Sequence, residues 1–572
     1  MSRRKSLSPQ LPFTRRALSL IALSILAASG SAIAQPDAPA MLAQAGAAPA
    51  SPTAASTAAP TAAPGGVLLV VTRYEVTGTN PLGAEETQSA LRTFLGEHRS
   101  LASLEAGALA LENLMRERGY AFHRVIVPAQ RPEGGVIRLE VLRFSLGNVN
   151  VTGNQHFDRA NILRSLPALK PGDSPDVVEL ARQLSLANEH PAKRLTVTMR
   201  ESKTADSLDA DVLVRDVKSS QVFVGLIGNT RDKYNAINEN TGYTRLTVGY
   251  QNSNLFGLDH VGTLAYTTSP EHPDSVKQYA GYYSLPIYSL SSQVSAYYVR
   301  SDVNTGSIAV GGLPFNVSGR GTFYGVRATY TLPRVADTTQ LLSIAYDDRE
   351  FENSLSVGGL PLPGTPVLTR PVSLRYQARA ERAWGGANGY LEYAVNVGGS
   401  DAAAFNAARN GASDEWNAFR GGFDGNYLWN NWVLLTRARV QYSGDVLIPG
   451  EQFGLGGATS VRGLREREYG GERGYTLTFE GVGPALAGGV RPVVFFDHGY
   501  AYQRQTPAPV AGVVVGGQSA SSAGVGVRWN WQRRFDLSAD LAYVIDGLAG
   551  TASAPGTPDG QVKLHFSLYY RF

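Results

Sequence analysis

No cysteine occurs in the 572 residues. That excludes disulfide stapling, thiolate nucleophiles and thiolate metal sites. Methionine is scarce, with four residues, and the eight histidines show no metal-ligand spacing. After the amino-terminal stretch no 18 apolar residues run together, so no transmembrane helix is expected. Charge of one sign is missing too. The formal net charge of +4 arises because residues 1–34 carry five basic residues and no acid. Removing those five from 52 leaves 47 basic against 48 acidic residues, a net of −1. A near-neutral chain has no global field for nucleic acid, and no such partner is expected. Glycine and tyrosine are plentiful, at 62 and 27, and mean hydropathy is −0.14. That mixture suits a β-barrel with a polar lumen better than a helical membrane protein.

The end of the chain carries the clearest pattern. Leu564, Phe566, Leu568, Tyr570 and Phe572 alternate with Lys563, His565, Ser567, Tyr569 and Arg571. Strict alternation makes a strand with one apolar and one polar face. An aromatic carboxy terminus on such a strand suggests the closing strand of an outer-membrane barrel. Phe566, Leu568, Tyr570 and Phe572 would then be its assembly signal, read by the barrel assembly machinery. The other end reads as a signal peptide over 1–34. Arg3, Arg4, Lys5, Arg15 and Arg16 are basic, Ala17 to Ser29 is apolar, and Ala32-Ile33-Ala34 fits a cleavage site. Arg15-Arg16 also fits a Tat signal. A barrel must cross the inner membrane unfolded, which favours Sec.

Residues 35–66 are an Ala/Pro/Ser/Thr run without apolar period, read as a disordered or polyproline-like tether. Two similar units follow, over 67–144 and 145–217. Val76-Thr77-Gly78 recurs as Val151-Thr152-Gly153, and Leu91 aligns with Leu166. Each unit reads strand, helix, helix, strand, strand. Leu101, Leu104, Ala108, Leu111 and Met115 share one helical face in the first, and Val177, Leu180, Leu184 and Ala187 mark a helix in the second. Beyond Gln221 the helical period ends. Sixteen strands are expected, centred on 225, 247, 264, 282, 296, 326, 344, 378, 394, 422, 437, 477, 495, 527, 540 and 567. Connections after odd-numbered strands are long, such as Asn229 to Gly242. Those after even-numbered strands are mostly short, such as Gly385 to Asn388 and Trp429 to Asn431. Long outer loops, short periplasmic turns and an even strand number describe a bacterial outer-membrane barrel. The fold expected is a membrane β-barrel of sixteen antiparallel strands over 218–572, preceded by two periplasmic α+β domains.

The connection over 444–472, between strands 11 and 12, holds Glu451-Gln452-Phe453-Gly454-Leu455-Gly456-Gly457 and then Val461, Arg462, Gly463 and Leu464. One strand later come Phe495, Asp497 and Gly499. Alternation turns Val494 and Phe496 to lipid and Asp497 to the lumen, where a carboxylate needs a partner or water. Two readings stay open. An arginine on a loop folded into the barrel would pair with Asp497 bidentately, or the loop is a glycine-rich outer loop with a solvated arginine. Arg437, Arg439 and Gln441 either line a transport route or only wet a polar wall. His156, Asp158 and Ser165 read as polar residues around the second unit's first helix. No constellation supports catalysis, a metal or another cofactor.

The Val461-Arg462-Gly463-Leu464 tetrad, the Phe495-x-Asp497-x-Gly499 motif and the two strand-first repeats resemble the BamA/TpsB superfamily of outer-membrane barrels. Over residues 68 to 572 the chain is most similar to the TpsB transporters of two-partner secretion, the hemolysin secretion/activation family. The resemblance implies two POTRA domains that capture an unfolded TpsA-type exoprotein arriving from Sec. Capture would use β-augmentation, and the barrel would conduct the chain outward without ATP. It also implies that the loop enters the lumen and that Arg462 pairs with Asp497. Partners are then the exoprotein and outer-membrane lipids. The plug helix common in similar transporters is doubtful: only Ala40 to Ala48 could form one, among Pro36, Pro39 and Pro49. A BamA-type insertase is the alternative, although insertases typically carry more POTRA units. A passive porin would need no POTRA-like repeats.

Overall fold

The computed structural model describes residues 69–572 apart from 99, 205, 231–241, 303–306, 311–312, 317–319, 353, 358–359, 364–365, 506–513, 533 and 551–554. The expected signal, tether and Ala40–Ala48 helix lie outside the described residues.

The first unit is a three-stranded sheet with two helices. Strand Val136–Arg143 is central, parallel to Arg73–Gly78 and antiparallel to His123–Ile126. Helices Ala84–Leu91 and Leu101–Glu117 supply Leu91, Leu104, Ala108, Leu111 and Met115 to a core shared with Ile137, Leu139 and Val141. Leu101 has the right period but is 60% exposed, whereas Leu104 on the same helix is buried. The second unit repeats the topology. Strand Ser207–Asp216 is central, parallel to Ser145–Thr152 and antiparallel to Lys193–Glu201, beside helices Arg159–Arg164 and Val177–Ala187. Asp158 and Asp176 cap those helices, accepting backbone N–H bonds from Asn161 and from Val178 and Glu179. The repeated Val-Thr-Gly has a backbone meaning. Gly78 has φ +84° and Gly153 φ +83°, and a Cβ on either would lie 2.3 or 2.4 Å from the carbonyl of Val141 or Val214. Only glycine meets both demands.

Sixteen antiparallel strands close into one barrel, the last, Val562–Arg571, pairing with the first, Ser220–Asn229. Every expected centre from 225 to 567 falls within one of them. The faces alternate as read: Val248 and Tyr250 are exposed while Thr247 and Gln251 are buried, and Leu541 and Tyr543 are exposed while Asp540 is buried. One reversal differs. The chain turns at Ala383-Trp384, and Gly385 to Asn388 belong to the ladder of strand Gly385–Gly399. Those glycines answer a close approach, not a turn: a Cβ on Gly385 would stand 2.1 Å from the Asn426 carbonyl. The second α+β unit sits on the short-turn end. Asn161 and Arg164 donate to the carbonyl of Gly257, in the turn between barrel strands 2 and 3.

Candidate functional site

Residues 443–472 connect barrel strand 11, Trp432–Tyr442, to strand 12, Arg473–Val482. Strand 11 ends on the long-loop side, yet the connection folds back into the lumen. Leu447, Ile448, Glu451, Leu455, Val461, Arg462, Leu464 and Glu472 are all buried. A short ladder, Phe453–Leu455 with Tyr469–Gly471, stiffens its stem.

The tip is an ionic lock. Arg462 donates from Nε and Nη2 to the two oxygens of Asp497, at 2.7 and 2.9 Å, and its backbone N–H donates to Oδ2 at 3.1 Å. Its Nη1 reaches Glu480 at 3.0 Å and Asp540 at 3.1 Å. Below it lies the ring of Phe495, 3.4 Å from Cζ to centroid. Asp497, on strand 13, Val490–Gln503, is 0% exposed. It is therefore not a lone carboxylate with one partner. Glu480, Asp497 and Asp540 come from strands 12, 13 and 15, and Arg528 of strand 14 also binds Glu480 and Asp540, at 3.0 and 2.6 Å. Two guanidiniums thus sit among three carboxylates, and desolvation is offset only while all remain paired.

Each motif residue has a job around that lock. Gly463 has φ +96°, and a Cβ there would meet Val544 at 2.7 Å. Its N–H donates to His565 Nε2 at 3.0 Å, on the closing strand. Gly499 leaves room for the loop, since a Cβ would fall 2.3 Å from Leu455 and 3.1 Å from Val461. Val461 and Leu464 pack with Leu455, Tyr469, Ala501, Ala520, Val544 and Leu548.

The ascending limb is held separately. Glu451, 3% exposed, accepts from Arg349 at 2.9 and 3.0 Å and from Arg420 at 2.9 Å, on strands 7 and 10. Gln441 donates to the Glu451 carbonyl at 2.9 Å. Glu472 closes the base, bonded to Arg409 and to the Arg504 N–H. The loop is thus tied to strands 7, 10 and 11 on one side and to strands 12, 13, 15 and 16 on the other. Arg437 and Arg439 are engaged elsewhere, both paired with Asp424.

Residues 230–519 match the family model described as haemolysin secretion/activation protein ShlB/FhaC/HecB, and residues 69–143 match the ShlB-type POTRA domain. The chain belongs to this haemolysin secretion/activation family. It is a TpsB-type transporter of the outer membrane, with its POTRA part in the periplasm. Two solved structures share the fold. CdiB from Escherichia coli aligns with TM-score 0.69 at 17% identity, over 99% of this chain and 100% of its own. CdiB from Acinetobacter baumannii aligns with TM-score 0.65 at 15% identity, over 97% of each chain. No curated protein sequence matches it.

Sequence reading of this TpsB chain missed Glu451, Glu472, Glu480, Arg528 and His565 as lock residues. The signal available was inward phase, since a charged residue facing the lumen on a strand next to Asp497 is a candidate partner. Ser165 was read as a polar residue around the second unit's first helix; it is buried and bonded across to the barrel at Asp259. Of the carboxy-terminal set, Phe566, Leu568 and Tyr570 lie half-buried on the outer face. Phe572 follows the strand, exposed, with its N–H on the Val222 carbonyl at 2.9 Å. Among the described residues no group of three or more His, Asp or Glu could hold a metal ion.

Proposed function

We propose that this transporter recognises an unfolded TpsA-type exoprotein in the periplasm and exports it through its barrel without ATP. Residues 67–144 and 145–217 are the two POTRA domains of this reading, 218–572 the barrel, and 444–472 the loop that closes the resting pore. The observation that carries it is the loop itself. It enters from the outer end, and Arg462 fastens its tip to Asp497 inside the lumen. A bidentate, ring-backed pair fixes orientation as well as position. It therefore organises a transport-competent lumen rather than merely filling it.

Capture falls to the POTRA sheets. Ser145–Thr152 is an edge strand in the order Ser145–Thr152, Ser207–Asp216, Lys193–Glu201. A groove of about 760 Å³ runs beside it, lined by Asn148, Asn150, Arg159 and Asp211 among others. An extended cargo segment can add there as a further strand, its main chain supplying affinity. Release needs no nucleotide, because folding outside disfavours return.

The test is export of the exoprotein encoded beside this chain by wild type, Arg462→Ala and a deletion of 68–216, at matched barrel levels. Export by wild type and loss in both variants supports the reading. Undiminished secretion by Arg462→Ala removes the lock from it. No wild-type export, with defective assembly of other barrels on depletion, favours the insertase.

A further inference from the structure

The second POTRA unit is joined to the barrel by a buried ionic cluster. Lys193, the first residue of strand Lys193–Glu201, has a side chain 0% exposed. Its Nζ donates to Asp259 at 2.6 Å, Ser165 at 2.7 Å and Asn161 at 2.8 Å, using all three of its hydrogens. Asp259 lies in the turn between barrel strands 2 and 3, with a side chain 1% exposed. Besides Lys193 it accepts from Asn161 Nδ2 at 2.8 Å, Ser165 at 3.1 Å and the Tyr288 hydroxyl at 2.8 Å. The rings of Phe157 and Tyr288 wall the ammonium, at 5.2 and 5.9 Å. His190 faces the Ser253 carbonyl at 2.5 Å. Around the rim, Glu179 meets Ser291 at 2.9 Å and Glu189 meets Arg379 at 2.7 Å. The contacts therefore reach the turn between strands 2 and 3, the turn between strands 4 and 5, and strand 8.

Two fully desolvated charges tolerate little misplacement. Their dehydration is offset only while each hydrogen and each lone pair keeps its partner. The partners come from two separate stretches of the POTRA unit (Asn161–Ser165 and His190–Lys193) and two separate barrel turns. Only one relative placement of the two bodies satisfies them all. A hinge that swings in every transport cycle would have to break this whole set each time.

We infer that the second POTRA domain remains docked throughout transport, with Lys193 and Asp259 as its positioning residues. The capture edge Ser145–Thr152 then stays at a constant distance from the barrel mouth, and any swing during capture occurs between the two POTRA domains. The inference rests on the proposed export function.

The chain has no cysteine, so an introduced pair is read without background. Glu189→Cys with Arg379→Cys, at the half-exposed rim, is joined in cells by a thiol-cleavable bis-methanethiosulfonate. Barrel folding is checked by heat-modifiable gel mobility. The joined transporter should secrete within twofold of the unjoined one. Lys193→Met should lower secretion at least tenfold, and joining 189 to 379 in that variant should restore it, because the lysine acts by holding the two bodies together. Loss of secretion on joining, reversed by reductant, overturns the inference. So does a Lys193→Met transporter that secretes normally, or one that joining fails to rescue. If wild type exports nothing, the function reading falls and the initial rate of cross-linking decides the joint. A tenfold slower rate in folded Lys193→Met, reaching the same final yield, supports positioning, and an unchanged rate refutes it.

Discussion

Replacing Arg462 by Ala removes the cation that three lumen carboxylates share. Asp497 is 0% exposed, and after the substitution it retains only the backbone N–H of residue 462 among the bonds described here. Breaking a buried ion pair by deleting one partner costs about 3–5 kcal/mol. The guanidinium over Phe495 adds about 1–2 kcal/mol more when desolvated. Glu480 and Asp540 keep Arg528, so the loss concentrates on the loop tip and leaves the wall intact. At about 1.4 kcal/mol per factor of ten, the docked-to-undocked ratio of the loop should fall by roughly three to five powers of ten. The assay is accessibility of a cysteine at Ser460, next to the lock, to a membrane-impermeant maleimide. Wild type should label slowly and Arg462→Ala fast, with heat-modifiable mobility unchanged. Adding Asp497→Asn should recover part of the protection, since the neutral amide no longer needs the cation. Equal labelling of Arg462→Ala and wild type would refute the reasoning, as would a double variant worse than the sum of the two singles.

Three further outcomes are expected. Glu451→Gln keeps the shape but removes the anion between Arg349 and Arg420; hydrogen bonds to charged groups are worth about 1.5–3 kcal/mol each, so a cysteine at the buried Ile448 should become labelled while one at Ser460 stays protected. Gly463→Ala forces a side chain into φ +96° and against Val544, a strain of about 1–3 kcal/mol, and should loosen the tip without unfolding the barrel in a gel-mobility assay. His190 is held neutral by burial, with Lys193 and Arg194 adding to the effect against Asp259 and the Ser253 carbonyl, and its pKa is lowered to about 4. Because the folded value lies below the unfolded one, its contribution is complete above about pH 6.5 and lost as pH falls through 4, about 3 kcal/mol at most. Cross-linking between cysteines at 189 and 379 should decline over that window, and His190→Gln should flatten the decline; an identical decline in His190→Gln would exclude the imidazole.

The barrel was legible because its physics is local. Alternation at period two tells which way Thr247, Tyr250, Asp540 and Tyr543 point, and that is fixed by a residue's own neighbours. The POTRA-type unit was legible for the same reason, apart from Leu101, where the period is right and the side chain is nonetheless exposed. Glycine misled at Gly385, since one residue type serves both turns and close strand approach. Partner choice was not legible. Arg462 and Asp540 are 78 positions apart, Glu451 and Arg349 are 102, Lys193 and Asp259 are 66. Phase narrows such pairs to inward-facing charges; only the closed cylinder and the folded-back loop select among them.

The lock also constrains the order in which the molecule is built. Arg462 precedes in sequence every wall residue that holds it: Glu480, Asp497, Asp540 and, through Gly463, His565. The last of these lies on the strand that seals the cylinder against Ser220–Asn229. The tip therefore cannot find its full set of ligands until the final strand is in place. The carboxylates of the lock belong to strands 12, 13 and 15, so a barrel whose seam is still open can hold Arg462 and lacks only the His565 contact at Gly463.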